Sequence, residues 1–290
     1  MNRIKGILYA AVSSSTFGLA PFFSITLLLA GFSAFEVLSY RWGVAAIVLT
    51  LFGWCSGCNF RLAKKDLLVV FLLSLLRATT SFSLLIAYQN IAVASTIHFM
   101  YPLAVSLAMM FFFHEKKSLL VMFAVLMSLF GAALLSSGEL EAKSGDTIVG
   151  LVAACISVFS YGGYIIGVRT TRAAQINSTV LTCYVMGMGA VLYLIGAMAT
   201  FGLHLVTDGY IWLIILGLAL PATAISNITL VRAIKYAGPT LTSILGAMEP
   251  LTAVVIGVFV FKELFTLNSA IGILLILLAV GMVVFRKQKS

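Results

Sequence analysis

Ten apolar stretches follow one another along this chain with almost nothing between them, at 5–29, 34–55, 66–89, 93–113, 118–138, 147–168, 178–202, 209–231, 239–261 and 267–285. About 20 such residues, wound as a helix, cross the ~30 Å hydrocarbon core of a bilayer. In lipid only helices and closed barrels satisfy their own backbone hydrogen bonds. The pattern therefore predicts an all-α integral membrane protein of ten transmembrane helices. Composition agrees: 62% of the 290 residues are hydrophobic and 9% are charged, too few polar groups to clothe an aqueous domain. The longest connections, around 56–65 and 169–177, leave no room for a soluble domain.

A net charge of +9 would suit an acidic partner or nucleic acid, but its distribution argues otherwise. With the N-terminus inside, Arg3, Lys5, Arg61, Lys64, Lys65, Lys116, Lys117, Arg169, Arg172, Arg232, Lys235, Arg286, Lys287 and Lys289 all fall on the cytoplasmic side. The outer side receives Lys143 and Lys262, and Arg41 and Arg77 lie within spans. The positive-inside rule accounts for this asymmetry without any nucleic acid, and places both termini in the cytoplasm. Residues 2–20 begin like a signal peptide, yet the apolar run continues to about residue 29 with no cleavage pattern, as expected of a first span. Cys55-Ser-Gly-Cys58 is a CxxC without a second pair, and Cys155 and Cys183 stand apart. Reduced, structural cysteines are expected and no metal or redox cofactor.

The chain also repeats itself. Met100-Tyr101-Pro102-Leu103 returns as Met248-Glu249-Pro250-Leu251, and each copy leads at the same spacing to an acid, Glu115 and Glu263. Gly6-Ile7-Leu8-Tyr9-Ala10-Ala11 parallels Gly150-Leu151-Val152-Ala153-Ala154-Cys155; Ser13 matches Ser157, and Phe17-Gly18 matches Tyr161-Gly162. The expected units are a first five-helix repeat at 1–138, a linker at 139–146 and a second repeat at 147–290. An odd number of spans per unit reverses the second copy, so the repeats are inverted, an arrangement in which the site lies between copies. Ala10, Ser14 and Gly18 fall four apart on one helix face, a close-packing surface.

In this order and duplication the chain resembles the EamA-type, ten-helix members of the drug/metabolite transporter superfamily. The resemblance rests on Tyr40-Arg41-Trp42 early in the second span, the passage from Ala87 to Pro102, and Ala233-Ile234-Lys235-Tyr236 before the ninth span. It rests also on Glu249-Pro250 and the terminal acids Glu115 and Glu263. It covers the whole chain and departs from the family's pattern twice. His114 and Lys262 precede the terminal acids where glycine is usual, and Arg77 occupies a position that is commonly apolar. The resemblance implies a secondary exporter whose spans one, three, four, six, eight and nine line the substrate cavity.

Ionisable groups inside a span cost about 2.5–3.5 kcal/mol each on insertion scales, so each needs a reason. Arg77 and Glu249 sit near the middles of spans three and nine, and His98 toward the outer end of span four. Arg77, with Thr80, Ser81 and Tyr88 further along its helix, suits a carboxylate or phosphate group. Glu249 suits a proton or a cationic group; alternatively it is a buried partner for Arg77. His98 is either a hydrogen-bonded packing residue or a proton carrier. Tyr101 occupies the place in the first repeat that Glu249 occupies in the second. Phe17, Tyr161, Tyr164 and Phe82 are aromatic walls or plain core. In span eight Pro221 and Asn227 are the kinked and polar positions, and Pro102 and Pro250 are expected hinges. Arg41 is expected to be structural, near the acid Glu36, with a side chain able to reach toward the outer surface.

If Arg41 is scaffold, Arg77 and Glu249 cancel, and a zwitterion replaces their mutual pairing. The expected cargo is thus a small amphipathic metabolite with a carboxylate, such as an amino acid; organic cations or drugs, and organic anions, are the alternatives. A channel-like facilitator remains open as another class. A membrane-embedded enzyme lacks a GxSxG or HExxH motif, and His204 and Asp208 alone form no catalytic set. No ATP-binding loop is present, so an ion or substrate gradient, protons among the candidates, would supply the energy. The expected setting is the inner or plasma membrane, and a monomer would suffice.

Overall fold

Every regular element among the described residues is a helix, as a chain without water for its backbone requires. The computed structural model describes residues 2–90, 94–115, 118–136, 146–200, 202–260 and 265–285. The helices are α1 (Asn2–Phe17), α2 (Ala20–Leu29), α3 (Ala34–Cys55), α4 (Lys64–Asn90), α5 (Ala94–His98), α6 (Tyr101–Phe111) and α7 (Leu119–Ser136). There follow α8 (Thr147–Thr170), α9 (Ser178–Thr200), α10 (Gly209–Ala219), α11 (Ser226–Ala237), α12 (Pro239–Leu245), α13 (Glu249–Val260) and α14 (Leu267–Val284). Side-chain caps mark several starts: Ser33 with Glu36 forms a capping box on α3, and Asp146, Asp208 and Thr266 cap α8, α10 and α14.

Nine helical stretches among the described residues are long and apolar enough to cross a bilayer. The remaining predicted crossing is α7, whose 18 residues span about 27 Å at about 1.5 Å per residue. Large apolar side chains such as Trp54, Phe112, Phe159, Leu213 and Leu277 point outward, whereas Glu36, Arg41, Arg77, His98 and Glu249 are buried. The surface is oily and the polar groups are inside, as a lipid solvent demands.

The principal helix pairs reveal the duplication. α3 packs on α9, α4 on α8, α1 on α11, α7 on α14 and α6 on α12. Numbered by crossing, these are two–seven, three–six, one–eight, five–ten and four–nine. Exchanging the halves turns one–eight into six–three and leaves the other three pairs unchanged, as a twofold axis between the halves requires. Each pair takes one helix from either half, so the copies interlock. The small face of α1 belongs to this packing: Ala10 and Ser14 are buried, and Ser13 donates a 2.8 Å hydrogen bond to the Ser226 carbonyl on α11.

Contacts between the halves also close both ends. On the side of the termini, Arg3 donates to the Val283 carbonyl at 2.8 Å, Thr240 to Glu115 Oε2 at 2.6 Å and Tyr184 to the Phe60 carbonyl at 2.8 Å. There Arg172 pairs with Asp66 at 2.6 Å. On the opposite side, Glu36 Oε1 accepts from the His204 backbone at 2.8 Å and lies 2.6 Å from its Nδ1, while Tyr40 donates to the His204 carbonyl. Asp208 caps α10 and does not join His204 in a common site. Cys55, Cys58, Cys155 and Cys183 are all free thiols. Residues 139–145, Lys116, Lys117, Lys262, Glu263, Arg286, Lys287 and Lys289 lie outside the described residues.

The α7–α14 pair meets at two glycines. A Cβ on Gly131 would stand 2.8 Å from the Gly272 carbonyl, and one on Gly272 would stand 2.7 Å from the Gly131 carbonyl. Two backbones touch, the approach that small residues permit in membranes. Gly131→Ile is expected to lower the melting temperature of the detergent-solubilised protein, at a cost of about 1–3 kcal/mol for overpacking. Gly43→Ala, whose Cβ meets nothing within 4 Å, is expected to hold or raise it.

Candidate functional site

Among the described residues four crossings are broken, and all four breaks face the same central region. The first, expected as one helix over 5–29, is divided at Gly18–Leu19, where a Cβ on Gly18 would stand 2.6 Å from the Glu249 carbonyl. The fourth breaks at Phe99–Met100 between α5 and α6. The eighth widens into a π-helical turn over Leu220–Ile225, and the ninth tightens into a 3-10 turn over Gly246–Met248. Pro102 and Pro250 are each the second residue of a new helix, and Pro221 lies in the π turn. At a helix start a missing N–H costs little, so Pro102 and Pro250 open helices and do not kink continuous ones. Irregular backbone in a membrane is tolerated where protein covers it, and it is commonly where ligands bind.

Around these breaks the side chains converge. Arg77, 1% exposed, donates from Nε to Asn227 Oδ1 at 3.1 Å and from Nη1 to Ser81 at 3.2 Å. Its guanidinium carbon lies 5.2 Å from the Phe17 ring centre, 5.0 Å from that of Tyr161 and 6.0 Å from that of Tyr164. Asn227 in turn donates to the Thr223 carbonyl at 2.7 Å, inside the π turn. Arg77 does not pair with Glu249: the ion pairs among the described residues are Arg172–Asp66 and His204–Glu36. Glu249 lies within electrostatic reach of Arg77 and near the Tyr101 hydroxyl, its counterpart in the other repeat.

Arg41 departs further from expectation. It does not reach the outer surface and does not pair with Glu36, whose carboxylate is committed to Ser33 and His204. It is 6% exposed and turned inward, donating from Nε to Thr223 at 2.6 Å and from Nη2 to the Ala222 carbonyl at 3.4 Å. Its guanidinium carbon stands 5.5 Å from the centre of the Phe17 ring, which it shares with Arg77. Tyr88 and Tyr193 are both within electrostatic range of it. Thr223 was not marked by the sequence, although its position two residues past Pro221 is a usable signal.

His98 lies against the tyrosines, its ring 5.4 Å from Tyr161 in a stack and 5.4 Å from Tyr101. Tyr101 and Tyr161 meet edge to face at 4.6 Å. His98 Nδ1 is 2.9 Å from Ser157 Oγ, which donates its proton to the Ala154 carbonyl at 2.6 Å. That contact occupies Nδ1 and leaves Nε2 as the remaining ring nitrogen. Nε2 and the Tyr164 hydroxyl are buried with no hydrogen-bond partner among the described residues. Such atoms cost roughly 1–3 kcal/mol each, and a native structure keeps few of them without a use. Thr80 turns to Ser160 on α8, 3.0 Å away, and Phe82 stacks on Phe35, so neither belongs to this cluster.

Fold and centre together define a class: an internally duplicated, multi-pass membrane protein with a charged, aromatic-walled core between its halves. The model of the EamA-like transporter family matches residues 4–137 and again residues 148–285, and the chain belongs to that family. It is a membrane transporter and not an enzyme, and its partners are a bilayer and a small-molecule substrate. One solved structure, described as the crystal structure of a protein, superposes with a TM-score of 0.81 at 18% identity, covering 97% of this chain and 96% of that one. This likeness is one of fold. No curated protein matches the chain.

The Tyr101 hydroxyl lies so near Gly246 that a Cβ there would overlap it. Gly246→Ala is therefore expected to displace Tyr101 from Glu249, and Tyr101→Phe to relieve part of the clash. In a double-mutant cycle on melting temperature the two should be coupled by about 0.5–3 kcal/mol. Additive effects would mean that the ring and the 3-10 turn are not in contact.

Proposed function

We propose that this transporter is a secondary carrier that exports a small amphipathic metabolite bearing a carboxylate, such as an amino acid, by alternating access. The observation that carries the reading is that the central charges form no ion pair with each other. Arg77 is held by neutral partners and ring faces, while Glu249 stands by Tyr101 within electrostatic reach of Arg77. An arginine with neutral partners suits a substrate carboxylate, and a carboxyl held by a phenol suits an ammonium. His98, whose Nε2 has no partner among the described residues, stacks on Tyr161 and adds a polar group to the wall that Arg77 faces. Ser81 and Asn227 orient Arg77, and Phe17 and Tyr161 supply walls for the apolar part.

Alternating access is supported by contacts between the halves at both ends, Thr240–Glu115 and Tyr184–Phe60 at one and His204–Glu36 at the other. One set must open while the other holds. The breaks at Gly18–Leu19, Phe99–Met100 and Gly246–Met248, with Pro102, Pro250 and Pro221 beside them or in the π turn, are where the helices would bend. The energy source is an ion or substrate gradient, with a proton gradient as the first to test. A monomer contains both halves and hence the complete site.

The test is counterflow in liposomes holding the purified full chain, screened over amino acids, organic anions and organic cations, with and without a pH gradient. Saturable counterflow of a carboxylate-bearing solute is expected, and Arg77→Ala should abolish it. Normal transport by that variant would end the assignment of Arg77, and unsaturable flux would indicate a channel.

A further inference from the structure

We infer that Arg41 is a second substrate-binding cation, and that the site selects metabolites carrying two acidic groups and at most one ammonium. This rests on the carrier reading above and goes beyond it by naming the charge of the cargo. The first ground is position. Arg41 and Arg77 arise from helices α3 and α4, yet both place their guanidinium within 6 Å of the centre of one ring, Phe17, at 5.5 and 5.2 Å. Both are tied to one stretch of irregular backbone: Arg41 through the Thr223 hydroxyl, and Arg77 through Asn227, whose amide reaches the Thr223 carbonyl.

The second ground is charge. Among the described residues neither arginine has a carboxylate within 4 Å, and the ion pairs present lie elsewhere. Two buried guanidiniums on one ring repel, and each has surrendered its hydration. Arg41 neither pairs with an acid nor snorkels to the interface; a hydroxyl and one backbone carbonyl hold it and leave its charge unneutralised. Against two cations the centre offers one carboxyl, Glu249. A cargo with two acidic groups and one ammonium matches that set, one acid on each arginine and the ammonium toward Glu249.

The third ground is independent of both. The buried Tyr164 hydroxyl has no partner, and its ring is one of those under the Arg77 guanidinium, at 6.0 Å. Its hydroxyl is a donor free to meet an anionic oxygen held at Arg77.

Isosteric probes test this on the unmodified protein. Binding of L-glutamate, L-glutamine and glutarate to the purified full chain separates charge from shape, since glutamate and glutamine differ by one charge at nearly constant volume. Glutamate is expected to bind at least about tenfold tighter than glutamine, because an unpaired buried cation penalises the neutral analogue. Arg41→Gln should lower glutamate affinity more than glutamine affinity, collapsing their ratio by about tenfold. Arg41→Lys, which keeps the charge but loses the planar fork, should fall between. A purely structural Arg41 would weaken both ligands alike, and that result overturns the inference, as does glutamine binding as tightly as glutamate to the wild type. If the protein shows Arg77-dependent counterflow of another solute and binds neither glutamate nor glutarate, the two-acid cargo is wrong and the carrier stands. Absence of saturable counterflow for every solute removes both.

Discussion

In a bilayer each backbone N–H and C=O must find its partner within protein, and the departures from helix in this chain are arranged around that demand. Crossings two, three, six, seven and ten are uninterrupted helices. The breaks in crossings one, four, eight and nine gather at the centre, where neighbouring chain covers them. Freed carbonyls there become ligands for side chains: Thr223 O accepts from Asn227 and Ala222 O from Arg41. A polar centre in an apolar protein is therefore not an added feature. It is what irregular backbone inside a membrane becomes once covered.

The inverted duplication supplies the frame, and the centre departs from it. The helix pairs obey the exchange of halves. At the centre the exchange fails. Tyr101 and Glu249 occupy equivalent places and meet each other, while the breaks of the two halves differ: α8 is continuous where the first crossing is divided, and α4 is continuous where the eighth is widened. A symmetric frame can present two equivalent gates. An asymmetric centre is needed to hold a molecule whose ends differ.

Much of the frame was legible in the sequence because hydropathy and repetition are local or periodic signals. The ten stretches, the repeat at Met100 and Met248 and the small face Ala10–Ser14 all read directly from residue order. The ninth-crossing and fourth-crossing breaks were signalled by Pro250 and Pro102, though their role as helix starts was not. The break after Phe17 carries the same signal, since Pro21 is the second residue of α2, and the close approach of Gly18 to the Glu249 backbone adds a tertiary contact. Arg41, by contrast, is placed by tertiary contacts alone. Glu36 is its near neighbour in sequence, one turn and a residue away, but its partners Thr223 and Phe17 are brought in by other helices. A side chain's neighbour in sequence is a guide only when no distant group competes better, and here His204 and Ser33 had already claimed the acid.

The closures at the two ends are weak relative to what the centre stores. Exposed pairs such as Arg172–Asp66 contribute about 0–1 kcal/mol each, and a neutral hydrogen bond roughly 0.5–1.5 kcal/mol net. The centre holds two guanidiniums without acids and two orphaned polar atoms, each orphan costing roughly 1–3 kcal/mol. A ligand that satisfies them gains several kcal/mol only in a conformation where the groups converge. Binding energy of that size exceeds what one or two end contacts oppose, so a substrate can shift the balance between conformations that differ by a few kcal/mol. The same accounting explains why a poor substrate would not move the halves. A neutral analogue leaves a cation and an orphan as they were, and has no preference between the open and closed forms to spend on the transition.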